Sequence, residues 1–312
     1  MAKIYDVAVV GAGPTGLSAA VYTTREDLET VVLDHGVIGG LIATTEIVDN
    51  YPGFPEGIGG LELSDLMRKQ AERFGAEIRT GVDVAGLERS DELLTLKTNS
   101  DPVLAKSVLI ATGSSYKHLE VPGETELGGR GVHYCATCDG PLYRGKRLVT
   151  VGGGNTALQE TLFLAKFASH ITMLVRGSEF RGAEVLVEQI QKLPNVEVKF
   201  NTSITKILAE GHKVSGVETV DNATKAKGQL ETDGVFVFVG LLPNTGWLGG
   251  AVELDKRGLV KVGNDFATSL PGVYAAGDVC AGSIGQIASA VGEGVSAALS
   301  IRHYLAPHHV AK

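Results

Sequence analysis

Cys135 and Cys138 stand two residues apart in the stretch "VHYCATCDGP", and an acid, Asp139, directly follows the second thiol. The chain has one other cysteine, Cys280. A close pair can bind a metal, close a structural disulfide or pass electrons by thiol–disulfide exchange. A structural zinc site takes four thiolate or imidazole ligands, commonly as two close pairs. Here there is one pair, and His133, Cys135, Cys138 and Cys280 do not have zinc-type spacing, so no metal is expected. A four-residue loop restricts the unfolded chain little, which argues against a purely structural staple. In the exchange reading a thiolate attacks, a mixed disulfide forms, and the second cysteine resolves it.

Exchange needs an electron source and elements to hold it. Residues 4–16 read "IYDVAVVGAGPTG". A strand from Val7 to Val10 runs into Gly11, Gly13 and Gly16, a helix is expected from about Leu17 to Thr24, and a second strand ends at Asp34. This is the dinucleotide fingerprint in its context of strand, turn, helix, strand and terminal acid. Gly11 makes the tight turn, Gly13 lets backbone approach a pyrophosphate, and Gly16 lets helix and strand pack. The helix N-terminus offers amides to phosphate, and Asp34 can accept from a ribose hydroxyl. The pattern recurs. A strand from Leu148 to Val151 precedes Gly152, Gly153, Gly154 and Ala157, a helix runs to about Phe167, and a second strand ends at Val175. Two units imply two dinucleotides, or one bound and one vestigial. "LPGVYAAGDVCAG" puts Asp278 behind a strand and a turn at Gly277, where a carboxylate can reach ribityl hydroxyls.

The bulk composition sets outer limits. The chain has 312 residues, 44% of them hydrophobic and 21% charged, enough for about two globular domains. The 41 glycines follow no Gly-X-Y period and read as turns and close approaches. A net charge of −8 argues against nucleic-acid binding. No secretory signal segment is expected, and no apolar run reaches the roughly 20 residues of a membrane helix. Three cysteines do not make a disulfide-stapled secreted protein, so a reducing cytoplasm is expected. Cys280 reads as a buried bystander, and His133, a lone histidine, as surface or structural.

Taken together, "GAGPTGLSAA", "IVDNYPGFP", "LIATGS", "YCATCDG", "GGGNTALQE" and "GVYAAGDV" resemble, in order and over nearly the whole chain, the low-molecular-weight thioredoxin reductases. That resemblance implies an α/β fold of two Rossmann-like three-layer nucleotide-binding domains. The FAD domain would comprise 1–115 and 246–312, and the inserted pyridine-nucleotide-type domain, 116–245, would carry the cysteine pair. FAD would be held by Gly11, Gly13, Pro14, Thr15, Gly16, Asp34, Gly40, Asn50, Ala111, Thr112, Gly113, Gly277, Asp278, Gln286, Ile287 and Ala288. A nicotinamide cofactor, NADH or NADPH, would be held by Gly152, Gly154, Asn155, Thr156, Ala157, Arg176 and Arg181. Cys138 would face the flavin, Cys135 would attack the partner's disulfide, and Asp139 would be the general acid–base. The partner would be thioredoxin or a thioredoxin-like protein, and the enzyme a homodimer.

The sequence also departs from the family's pattern. NADPH-using members carry a His-Arg-Arg run after the second strand of the inserted domain, with a further Arg beyond it. Here the run is Val175-Arg176-Gly177, with Glu179 following and Arg181 kept. A 2′-phosphate is best held by paired guanidinium groups, and each lost charge-assisted bond costs about 1.5–3 kcal/mol. NADH or relaxed specificity is therefore expected first, with ferredoxin, a deazaflavin or another non-nicotinamide donor as the alternative. Leu41 replaces a glutamine near the ring. Pro141 and Leu142 replace two aromatics that meet the partner. Arg130, Arg144 and Arg147 could steer an acidic partner. Alternative acceptors are a glutaredoxin-like or peroxiredoxin-linked carrier. A different class is a redox-sensing flavoprotein without turnover.

Overall fold

Strand β1 (Ile4–Val10) shows how the first sheet is built. Its side chains alternate in direction, as a strand requires. Val7 and Val9 join one buried cluster, with Leu17, Ala20 and Ile301. Ala8 and Val10 join another, with Leu33, Val108 and Ile110. Both faces are therefore covered, and the strand reads as a continuous apolar run. The computed structural model describes residues 3–45, 47, 48 and 50–309. Among these, no helix is long and apolar enough to cross a membrane.

The chain divides into two compact units. One runs up to Ser115 and resumes at Leu242; the other is Tyr116–Leu241. The return crossing thus lies four residues before the expected Gly246. The reason is Asn244, whose backbone amide donates to Gly113 O (3.0 Å) and whose side chain donates to Thr112 O (2.9 Å). Those bonds make it part of the first unit.

The first unit's sheet also contains β2 (Thr30–Asp34), β3 (Glu77–Thr80), β4 (Val84–Ser90), β5 (Leu93–Thr98) and β6 (Val103–Ile110), in the order β3-β2-β1-β6-β5-β4. Its core is parallel, with β1 paired to β2 and β6, while β5 joins β6 antiparallel. A short strand, Val273–Ala275, adds in parallel to the last residues of β6. Helices α1 (Pro14–Arg25), α2 (Gly60–Arg73) and the 23-residue helix Ile287–His309 accompany this sheet. The long helix meets α1 at Gly294, where any Cβ would collide with the carbonyl of Thr15. That contact explains the glycine: two helix backbones touch there.

In the second unit, five parallel strands run in the order Val196–Lys199, His170–Leu174, Arg147–Val151, Gly234–Val237, Val132–His133. A separate antiparallel sheet of three strands spans Thr202–Glu231. The helices are α3 (Ala136–Asp139), α4 (Asn155–Leu164) and α5 (Glu184–Gln191). With α6 denoting Ile287–His309, six α-helices are described.

Candidate active site

The first fingerprint turn is built as its glycines require. Gly11 has φ +110°, and a Cβ there would strike the carbonyl of Ala111. A Cβ on Gly16 would strike Gly11 O, so the helix enters directly over the turn. Around Gly13 nothing lies within 4 Å of a Cβ position. No side chain caps α1, which starts with Pro14 at its first turn. The first-turn amides therefore line a cradle whose backbone chemistry fits a pyrophosphate. Gly40 approaches Gly13 from the other side, its Cβ position 3.7 Å from Gly13 Cα. The amide of Gly277 (φ +79°) donates to Glu293 Oε2 (2.8 Å), and its Cα packs against Thr15.

Asp34 does more than the sequence suggested. Its two oxygens accept from the amides of Ala12 and Gly36, each at 2.7 Å. The carboxylate locks the turn, and any bond to a ribose hydroxyl must use its remaining lone pairs. Asp278 is held by the Ser283 hydroxyl at 2.9 Å. Burial pushes its carboxyl up, partly opposed by the Ser283 bond and reinforced by Glu293. Asn50 and Gln286 meet, with Nδ2 donating to Oε1 at 3.1 Å. Asn50 to Pro55 line a cavity of about 400 Å³. Ile287 and Ala288 open α6. Thr112 donates through Oγ1 to Asn244 O (2.9 Å), and Gly113 has φ +63°. Amides, carboxylates and positive-φ glycines thus recur through this unit, chemistry that suits a dinucleotide. Nearby Cys280 is buried; burial, then Glu293 and Asp278, push its thiol up to about 12, so it stays protonated.

The second turn repeats the first with one difference. Gly152 has φ +142° and Gly154 leaves open space, yet the third position is Ala157, whose Cβ is 2.7 Å from a Cβ position on Gly152. Asn155 opens α4, but its Oδ1 accepts from Ala183 N at 2.7 Å, and Arg181 N donates to Gly153 O at 2.7 Å. The segment bearing Arg181 is thus tied to the turn. Thr156, Arg176 and Arg181 are exposed. Val175, in the place of the family's histidine, is buried.

The redox turn lies in the same unit. Cys135 and Cys138 form a disulfide with Cα atoms 5.3 Å apart. Cys135 is the N-cap of α3, its Sγ accepting from Cys138 N at 3.2 Å. An amide aimed at this sulfur favours its thiolate once the bond is opened. The amide of Ala136 donates to Glu160 Oε2 on α4 (3.0 Å). One helix therefore carries the dinucleotide turn at its start and braces the redox turn five residues on. Burial pushes the Glu160 carboxyl up, partly offset by the Ala136 amide. Tyr134 donates to buried Glu124 (2.8 Å) and stacks on Tyr116. Burial and then the Glu124 bond push its phenol up, so it stays a donor.

His133, expected from sequence at the surface or in a structural role, is not a surface residue. It is buried, with Nδ1 3.1 Å from Asp139 Oδ2 and Nε2 2.8 Å from the Tyr143 hydroxyl. Glu160, Tyr134, Glu124 and Tyr143 were not foreseen. The one available signal was an acid, Glu160, inside the apolar fingerprint helix.

A test of the Glu160 environment follows from the sign of its shift. A carboxyl raised in the folded state holds its proton longer there than in the unfolded chain, so stability falls as pH rises from about 4 through the folded value. Glu160→Gln keeps an acceptor for Ala136 N and removes the ionisation. Its melting temperature should match wild type at low pH and exceed it progressively above. Parallel melting curves across the whole pH range would contradict the shift.

Two dinucleotide-type turns, with a redox disulfide beside the second, define a flavin-linked disulfide oxidoreductase. A family model described as pyridine nucleotide-disulphide oxidoreductase matches residues 5–294. A thioredoxin reductase of Bacillus subtilis is 41% identical over 303 residues, 97% of this chain and 95% of the relative. The crystal structure of a thioredoxin reductase from Streptococcus pyogenes aligns with TM-score 0.92 at 34% identity, covering 97% of this chain and 99% of that one. That of T. acidophilum thioredoxin reductase is 42% identical with TM-score 0.67, covering 98% and 99%. The chain belongs to the pyridine nucleotide-disulphide oxidoreductase family, among its low-molecular-weight thioredoxin reductases, and is an FAD-dependent disulfide oxidoreductase.

Proposed function

We propose that this enzyme carries electrons from NADH, or from either nicotinamide with relaxed preference, through FAD and the Cys135–Cys138 dithiol to thioredoxin or a thioredoxin-like protein. The observation that supports it most is the disulfide itself, formed on a half-buried turn with an acid directly behind it. FAD, when bound, supplies the two-electron relay between nicotinamide and disulfide. Gly11, Gly13, Pro14, Thr15 and Gly16 would bind its pyrophosphate, Asp278 its ribityl chain, and Asn50, Gln286, Ile287 and Ala288 would border the ring.

In the exchange half, the Cys135 thiolate attacks one sulfur of the partner's disulfide. That S–S bond breaks, and the departing partner sulfur takes a proton from solvent. The Cys138 thiol then gives its proton to Asp139 and attacks Cys135 Sγ. The mixed disulfide breaks, the Cys135–Cys138 bond re-forms, and the partner's second sulfur takes the proton from Asp139. Two electrons leave the dithiol and two protons end on the partner. Exposed Leu142, beside the turn, offers an apolar contact where the family has aromatics. The setting proposed is the cytoplasm, and the assembly a homodimer.

The test is an anaerobic panel. The FAD-loaded protein is offered NADH, NADPH and reduced ferredoxin in turn, with thioredoxin, a glutaredoxin or a peroxiredoxin-linked carrier as acceptor. Thioredoxin reduction with NADH is the expected result. Flavin that no donor bleaches would instead identify a non-turnover sensor.

A further inference from the structure

We infer that His133 is a positioning residue for Asp139: the buried imidazole and the carboxylate hold one exchangeable proton between them beside the redox pair. This deepens the exchange mechanism and rests on the proton-handling role given there to Asp139.

Four observations carry it. His133 is 7% exposed, at the end of a two-residue strand that pairs with Val235 and Phe236. Its ring stacks on the fully buried Phe236, centroids 5.1 Å apart and planes 28° apart, which fixes the imidazole plane. Nδ1 is 3.1 Å from Asp139 Oδ2, within reach of proton transfer. Nε2 is 2.8 Å from the hydroxyl of Tyr143. A hydroxyl both donates and accepts. When Nε2 is bare, Tyr143 can donate to it; when the ring is fully protonated, Nε2–H can donate to Tyr143. The imidazole can therefore gain or lose a proton without leaving a buried polar atom unpartnered, and such atoms are costly.

The neighbouring groups allow few other partners. Among the described residues, the titratable groups bonded to His133 are Asp139 and Tyr143, and the thiols of Cys135 and Cys138 belong to the same turn as Asp139. Across the turn, Glu160 of α4 is engaged with the Ala136 amide. The adjoining strand Gly234–Val237 contributes the apolar ring of Phe236, and on the next strand Thr150 is bonded to Thr161. An imidazole and a carboxylate at this distance can pass one proton between them. A proton given up by Cys138 can thus rest on Asp139 or pass to His133. A carboxylate standing alone would have to hold that proton itself while one sulfur nearby is anionic.

The experiment uses FAD-loaded protein, reduced at the dithiol, with iodoacetamide and 5,5′-dithiobis(2-nitrobenzoate) as thiol probes between pH 5 and 9. His133→Asn keeps a side-chain donor near Asp139 but cannot take up a proton. It should lower the disulfide-probe rate at pH 7 about tenfold and displace the pH profile of alkylation. Asp139→Asn should displace the profile in the same sense, and the double variant should add little, because the pair acts as a unit. FAD content and melting temperature control for folding. A His133→Asn profile that overlays wild type overturns the inference. An unshifted Asp139→Asn profile overturns instead the role of Asp139. If His133→Asn fails to fold, carbon-13 NMR of the wild-type imidazole decides. Titration in step with the alkylation profile supports the shared proton, and titration outside it overturns the inference.

Discussion

Cys135→Ser should lower reduction of a thioredoxin-type disulfide by about a thousandfold or more, yet leave donor-driven bleaching of the flavin in place. A serine hydroxyl is not ionised near neutral pH and does not attack sulfur, so the exchange half stops. The fold should tolerate the change. Cys135 is the N-cap of α3 and accepts from Cys138 N through its sulfur, and serine is among the best N-caps. Cys138→Ser should behave differently. Cys135 can still attack, but nothing resolves the product, so the partner should be trapped as a mixed disulfide visible by mass spectrometry. Stopped-flow absorbance of flavin and partner thiol release separate the two halves. Full partner reduction by Cys135→Ser, or trapping by Cys135→Ser in place of Cys138→Ser, would refute the assignment of attacking and resolving thiols.

Much of this site was legible because its chemistry is local. The cysteine pair and its acid occupy five residues, and each fingerprint turn needs only its strand and the start of its helix. What stayed hidden depends on pairings across elements. The nature of Asp34 was readable as a terminal acid, but its bonds to Ala12 and Gly36 belong to the closed turn. His133 looked like a lone histidine because Phe236, its stacking partner, lies about a hundred residues away and arrives only when the two strands pair. Glu160 braces Ala136 from a helix whose role had been assigned to a nucleotide. The resemblance implies a domain return at about 246, whereas the first unit resumes at Leu242 and the side chain of Asn244 is already bonded to Thr112. In these cases residue type was visible and the pairing was not, even for His133 and Asp139, which share one short stretch.

The donor prediction turns on two replaced side chains, Val175 for histidine and Gly177 for arginine, and the second is the charge that can be restored most simply. After the strand His170–Leu174 come Val175, Arg176 and Gly177, and the backbone there is fixed: Asn201 N donates to Gly177 O (2.8 Å) and Asn222 Nδ2 to Arg176 O (2.9 Å). A Cβ added at Gly177 meets nothing nearer than Glu179 O at 3.8 Å. An arginine can therefore be introduced without strain, beside two guanidinium groups already exposed at 176 and 181. One or two new charge-assisted bonds to a 2′-phosphate, about 1.5–3 kcal/mol each, amount to roughly a ten- to hundredfold gain for NADPH per bond. Gly177→Arg should shift the NADPH-to-NADH preference by at least that first factor, and added salt should erode the gain. Glu179→Gln should help NADPH modestly by removing a like charge from the phosphate's surroundings. Anaerobic titration of flavin bleaching by each nucleotide measures both effects. Wild-type protein bleached at micromolar NADPH but not by NADH would show that Arg176 and Arg181 suffice for the phosphate. Protein bleached by neither nucleotide, before or after Gly177→Arg, would leave the second turn as scaffold and point to a protein donor.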